Sequence, residues 1–505
     1  MADTKQSGAG MKAVADKFPA PVYAETVLTP NFEDAKRFFL QSLVQMHYAH
    51  TLMLAKQEIL SLEETKACLK GLDDLDLDRV RAARYDGTYE DLFFFVEQEL
   101  ANSIGPDLSG KMHTARSRND IDLTLYRMAV RAEVLRIAAC VLDARNVLVA
   151  LAEANIDTVM PGYTHTQPAQ PTTFAHYLMA AIEFLGRDFQ RLRACWSTVN
   201  RNPLGACAIT TTGFPIDRHY TAELLGFEGL QTNSYGAIAA VDYVTEAAGA
   251  VAVCMINLGK HVQDLLQWCT AEFGFLRLSD AYVQTSSIMP QKRNPVSLEH
   301  TRIIASKAFS QAQAVMTCAH NTPFGDIVDS EDDLQPLVFA MFTDAYRALS
   351  LFAGVMRNCK VNREHMAVRA QGDFLAVTEL ADTLVRREGL SFRLAHRLVH
   401  AAVVACGKYD RDRMVDEVVH LAPEIIGRPL KLQRGVLVEA LDAKHFVAIR
   451  GIPGGPAPKA VEAEIEVTRA QMNEAAEWLK AKHFQEREYP EKIKKAKTKI
   501  LDARH

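Results

Sequence analysis

Apolar positions along the chain repeat at helical rather than strand spacing. From residue 31, Phe38, Leu43, Met46, Leu52, Leu54 and Ile59 recur at intervals a helix accommodates. Residues 121–160 contain no glycine or proline. Leu125, Met128, Val134, Ile137, Val141, Leu148 and Leu151 form a stripe there, which as one unbroken helix would run ~60 Å at about 1.5 Å per residue. Further long helical windows cover 169–199, 242–273 and 296–319. No alternating pattern is long enough to build a sheet, so an all-α fold is predicted. Helices of this length bury themselves poorly in one compact monomer, which points to a bundle completed by other subunits.

The breaks between these windows carry the polar and turn-forming residues. Residues 1–21 form a loose leader, with Gly8, Gly10, Pro19 and Pro21 among small and charged residues. Thr88 is an N-cap candidate with Glu90 and Asp91 behind it, and the aromatic run Phe93, Phe94 and Phe95 is expected to pack in the core. Turn-rich segments at 161–171 and 202–218 interrupt the helices. After Gly372 the next firm break is Gly451-Ile452-Pro453-Gly454-Gly455-Pro456, followed by a helix over 460–482 and a basic, solvated tail at 492–499.

A chain of 505 residues with 48% hydrophobic and 24% charged content is ordinary globular usage. A net charge of -5, with no basic patch interleaved by aromatics, gives no case for nucleic acid. The nine cysteines show neither CxxC nor Cys/His ligand spacing, so neither a disulfide framework nor a zinc site is expected. No signal-peptide core and no membrane-length apolar run is visible. A reduced, cytoplasmic protein without metal or cofactor is the expectation.

Two stretches hold candidate chemistry. Thr285-Ser286-Ser287-Ile288-Met289-Pro290-Gln291-Lys292-Arg293-Asn294-Pro295 sets two hydroxyls, a lysine and an asparagine between helix formers. Its prolines exclude a mid-helix position, leaving either a surface turn or a loop that closes over a ligand. Met112-His113-Thr114-Ala115-Arg116-Ser117-Arg118-Asn119-Asp120 places two arginines, hydroxyls and an amide just ahead of a helix. That is an anion-binding lip, because guanidinium forks match carboxylates, or else a solvated helix start. His165, in the 161–171 break, is either a packed turn residue or part of a site.

The order of residues in these stretches resembles the fumarase/aspartase superfamily. The 285–295 loop is similar to its Gly-Ser-Ser-x-Met-Pro-x-Lys-x-Asn-Pro signature, with Thr285 in place of the glycine. Within the superfamily, His113-Thr114-Ala115-Arg116-Ser117-Arg118-Asn119-Asp120 resembles the His-Thr-Gly-Arg-Ser-Arg-Asn-Asp of argininosuccinate lyases. Gly162-Tyr163-Thr164-His165-Thr166-Gln167, Phe214-Pro215-Ile216-Asp217-Arg218, Ala376-Val377-Thr378-Glu379-Leu380-Ala381-Asp382 and Gly454-Gly455-Pro456-Ala457-Pro458 match like segments. The resemblance implies a three-domain fold, divided here at 1–115, 116–373 and 374–505, with the central long helices building a homotetramer whose sites are shared between subunits.

It also implies elimination of an amine from a succinyl group with release of fumarate. The general base would be Ser286, with Lys292 and Asn294 on the loop, Ser117, Arg118 and Asn119 on the lip, and Thr164, Ser287 and Met289 holding the carboxylates. His165, paired with Glu299, would serve the leaving amine. The amine half departs from the family. Argininosuccinate lyases carry Tyr-Asn-Lys-Asp-x-Gln-Glu-Asp-Lys ahead of a proline, whereas aligning on Pro336 puts Asp326 at the tyrosine, Glu331 at the glutamine and Leu334 at the lysine. The family's Asp-x-x-x-Ser-x-Ala-His has Leu43 and His47 in place of its acid and serine, and its Glu-Asp-x-His ends here in Phe93. Its Ser-Asp-Arg-Asp becomes Ala239-Ala240-Val241-Asp242. An arginine α-carboxylate without its cation is costly to bury. The expected substrate is therefore an N-substituted aspartate with another amine, such as a diamine N,N′-disuccinate. The alternatives are argininosuccinate itself, a non-catalytic crystallin-like protein, and a fumarate-binding regulator.

Overall fold

The computed structural model describes residues 18–503; most of the expected leader lies outside them. Its centre is a bundle of long helices, Arg118–Glu153, Phe174–Val199, Asp242–Trp268, Val296–Ala319 and Gln335–Arg357. Arg118–Glu153 packs on Phe174–Val199 and on Gln335–Arg357, while Val296–Ala319 lies between Asp242–Trp268 and Gln335–Arg357. Arg118–Glu153 is covered on nearly every side, which explains its weak amphipathic contrast: Ile121, Val130, Val134, Ile137, Val141 and Leu148 are all fully buried. All-α is thus the architecture, with short strands only at the loops.

Local chemistry fixes where these helices start. Ser117 and Asp120 form a capping box at the head of Arg118–Glu153. Thr173 caps Phe174–Val199 by accepting the His176 N–H at 3.1 Å. The buried cation Arg131 ties the bundle to the end of the chain. It donates to the Asn200 side chain at 3.1 Å and the Leu225 carbonyl at 2.7 Å, and pairs with Glu486 at 2.9 Å.

Beyond the bundle, Val377–Glu388, Phe392–Cys406, Arg411–Ile426 and Arg434–Ala440 gather around a second core of Leu380, Leu384, Leu398, Met414 and Leu437. The final helix, Pro458–Leu501, returns to the bundle, and Val461, Ile465, Met472 and Leu479 join the main core. All nine cysteines are unpaired. Val328–Arg357 has the length and apolarity of a membrane span, but 61% of its most apolar window is buried in the molecule.

Three expectations are corrected. The helix expected from 460 to 482 continues through Pro490 to Leu501 and includes the basic tail, because Lys497 reaches Asp73 at 2.6 Å and lies over the Tyr48 ring. The first long helix stops at Glu153 and the next begins only at Phe174. Between them Val159–Thr164 and Gln167–Thr173 pair as an antiparallel hairpin in a stretch expected to be only a turn. Its prolines and glycine mask the period-2 signal.

Candidate active site

The signature loop is closed at its base by a second strand pair, with Gln284 opposite Asn294 and Thr285 opposite Arg293. Thr285 sits in this strand and is not among the positive-φ residues, so its backbone needs none of the freedom of the glycine it replaces. The base is held by Ser297 donating to the Tyr282 carbonyl at 2.8 Å and Arg293 to that of Leu278 at 3.0 Å. Above it, the Ser286 hydroxyl oxygen accepts the N–H groups of Ile288 at 3.2 Å and Met289 at 3.0 Å. Two donors on one oxygen favour its anionic form. Ser287, Met289 and Lys292 are exposed, Asn294 is half-buried, and Ile288 stands 84% exposed at the tip.

The lip is a built structure. Ser117 donates its hydroxyl to the Asn119 side chain at 2.9 Å, and Asn119 reaches the Ala208 carbonyl at 3.2 Å. Asp120, fully buried, accepts the N–H groups of Ser117, Gly205 and Cys207 at 2.7–2.9 Å. Burial raises its carboxyl to about 6 against those donors. Arg118 pairs with Asp122 at 2.7 Å and with Asp91, and its guanidinium lies 5.2 Å from the Phe93 ring centre.

Behind Arg118 the structure gathers more acid. Asp326 and Glu331 flank the turn Val328–Ser330, and Asp332 accepts the Tyr126 hydroxyl at 2.7 Å. Burial pushes the Glu331 carboxyl up to about 8, with a hydrogen bond to Asp326 and the charges of Asp326, Asp122 and Asp332 adding to it. Burial likewise lifts Asp122 to about 6, opposed by Arg118. Ser117, Arg118, Asn119, Asp326 and Glu331 therefore come together within one chain. Sequence reasoning missed Asp122, Asp91 and Tyr126. The four-residue spacing of Arg118 and Asp122 is a signal that finds the first of these; Asp91 and Tyr126 depend on tertiary packing.

His165 stands at the tip of the hairpin. Thr164 pairs with Gln167, leaving His165 (φ 51°) and Thr166 (φ 62°) as a two-residue loop with both backbones left-handed. Thr164, His165 and Thr166 are exposed. Glu299 lies exposed in the first turn of Val296–Ala319, and no hydrogen bond or ion pair joins it to His165 among the described residues. The pair expected from sequence is not formed within one chain, because the two residues belong to separate elements with no bond between them. Nor does any hydrogen bond or ion pair join the loop, lip and hairpin tip to one another among the described residues.

A family model described as Lyase matches residues 32–310, and one described as Argininosuccinate lyase C-terminal matches 374–448. Argininosuccinate lyase 2 of Agrobacterium fabrum is 41% identical over 461 residues, 90% of this chain and 91% of that protein. The argininosuccinate lyase of Methanoculleus marisnigri is 37% identical over 445 residues, 88% and 90% of the two chains. Among solved structures, EDDS lyase in complex with formate superposes with a TM-score of 0.84 at 32% identity, covering 95% of this chain and 97% of that one. A fumarate lyase from Mesorhizobium sp. BNC1 shares the fold at a TM-score of 0.70 and 18% identity, over 86% and 98% of the chains.

Proposed function

The chain belongs to the argininosuccinate lyase family and is a fumarate-releasing carbon–nitrogen lyase, and from that premise we propose that its amine half is a cationic diamine-type group rather than arginine. The observation that carries this reading is the acid cluster behind Arg118. Asp326, Glu331, Asp122 and Asp332 crowd like charges into a half-buried space, and a protonated amine relieves that repulsion as arginine's own carboxylate would not. The likeness to EDDS lyase supports the same reading. N-substituted aspartates such as diamine N,N′-disuccinates have this chemistry.

In the proposed reaction, Ser286 as alkoxide takes the proton next to the succinyl carboxylate. The C–H pair becomes the new C=C bond through an aci-carboxylate, and the Cα–N pair leaves with the amine. Lys292 and Asn294, with Ser117, Arg118, Asn119, Thr164, Ser287 and Met289, hold the negative charge as it develops. His165, with Glu299, delivers a proton to the departing nitrogen. Since no hydrogen bond or ion pair joins loop, lip and hairpin tip among the described residues of one chain, the site is proposed to be completed by further copies in a homotetramer.

The test follows fumarate absorbance with argininosuccinate and ethylenediamine-N,N′-disuccinate in parallel, beside a Ser286→Ala control. Release from the disuccinate, with little from argininosuccinate, is expected. Fast release from argininosuccinate would overturn the role given to Asp326, Glu331 and Leu334.

A further inference from the structure

A second cleft lies at the root of the signature loop, about 500 Å³ in volume and walled by Leu276, Leu278, Val283 and Val361. Its charged lining is basic, Arg277, Lys360 and Arg293, with Thr270 and Asn362 as neutral polar neighbours. Arg277 and Lys360 face each other directly across the antiparallel pair of Leu276–Arg277 with Lys360–Val361. Opposed side chains share one face of the ladder with Cβ atoms ~5 Å apart, and like charges there are destabilising without a counter-ion. Both are exposed, and neither side chain forms an ion pair or a hydrogen bond with a described residue. The acid within their field is Asp280, which is 88% exposed and already paired with Arg293 at 2.5 Å.

We propose that this cleft is an anion site that takes a small dianion between Arg277 and Lys360 and couples its occupancy to the signature loop through Arg293. Two cations opposed across the ladder suit two negative charges. The lining has no aromatic ring to stack a base, which argues against a nucleotide. The coupling route is short. Arg293 is opposite Thr285 in the strand pair that closes the loop, and Thr285 adjoins Ser286. A dianion competing with Asp280 for Arg293 changes the tie between the loop's returning strand and the turn Asp280–Tyr282. The chemistry fits inorganic phosphate and four-carbon dicarboxylates alike.

The experiment is calorimetric titration of the full chain with phosphate and, separately, succinate, at constant ionic strength, in wild type and in an Arg277→Gln/Lys360→Gln double variant. One saturable event per chain is expected in wild type for at least one of the two, weakened by about tenfold or more in the double variant. The anion that loses its event identifies the source; events retained in both proteins belong to other sites. Beyond any competition at the active site, which both proteins share, the same anion should alter the rate of fumarate release in wild type only, the double variant keeping the wild-type anion-free rate. Identical titrations of the two proteins with both anions, or no binding by either, would overturn the proposal. The titration needs no turnover, so it stands apart from the identity of the amine.

Discussion

Two N–H groups already point at the Ser286 oxygen before any substrate arrives, which suits the base proposed for it. Ser286→Ala should therefore lower fumarate release by roughly 10²–10⁴-fold while moving stability by no more than about 0.5 kcal/mol, checked by thermal unfolding. Glu331 yields a pH prediction. Its folded value of about 8 lies above the ordinary carboxylate value, so the folded state holds the proton more tightly and stability falls as pH rises towards 8. The melting temperature of Glu331→Gln relative to wild type should accordingly climb between pH 5 and 8.5. A cationic amine favours ionised Glu331, so its KM should fall with rising pH, by up to ~tenfold per unit, and Glu331→Gln should flatten that profile. The stretches that hold Ser286, Lys292 and Arg118 stood out in sequence as candidates because their motifs are contiguous. The cluster on Glu331 was legible only as substitutions, since Asp122 and Asp332 join it through packing between a helix and a turn more than 200 positions apart.

Among the elements, the long helices were readable because burial imposes their apolar stripes over many turns. The Val296–Ala319 window matched to the residue. The end of Pro458–Leu501 was not readable, because its last turns are polar on most faces and held by contacts far away in sequence. The anchor of that helix, Glu486 on buried Arg131, gives a prediction. Arg131→Ala should cost about 3–5 kcal/mol in denaturant unfolding, since it strips a buried carboxylate of its cation and leaves the Asn200 and Leu225 acceptors unmet.

For the whole molecule, the lack of any hydrogen bond or ion pair joining loop, lip and hairpin tip among the described residues of one chain fits the proposed shared site. Ile256 and Ile303, 46% and 55% exposed on two of the long helices, present apolar surface that the proposed assembly would cover. If sites are assembled across subunits, two inactive proteins should rescue each other. Mixing Ser286→Ala with His165→Asn after dissociation and reassembly should restore ~one quarter of wild-type activity, because each site draws its loop and its hairpin independently. No recovery, in a mixture shown to have exchanged subunits, would count against the assembly. The hairpin tip also bears on what selection can do with this enzyme. His165 and Thr166 both hold a backbone shape that costs non-glycine residues roughly 1–2 kcal/mol each. A laboratory search for heat-resistant variants scored only by survival would tend to rewrite that turn as Asn-Gly. With His165 in the proposed role at the leaving amine, it would enrich proteins that outlast their parent and no longer turn over substrate.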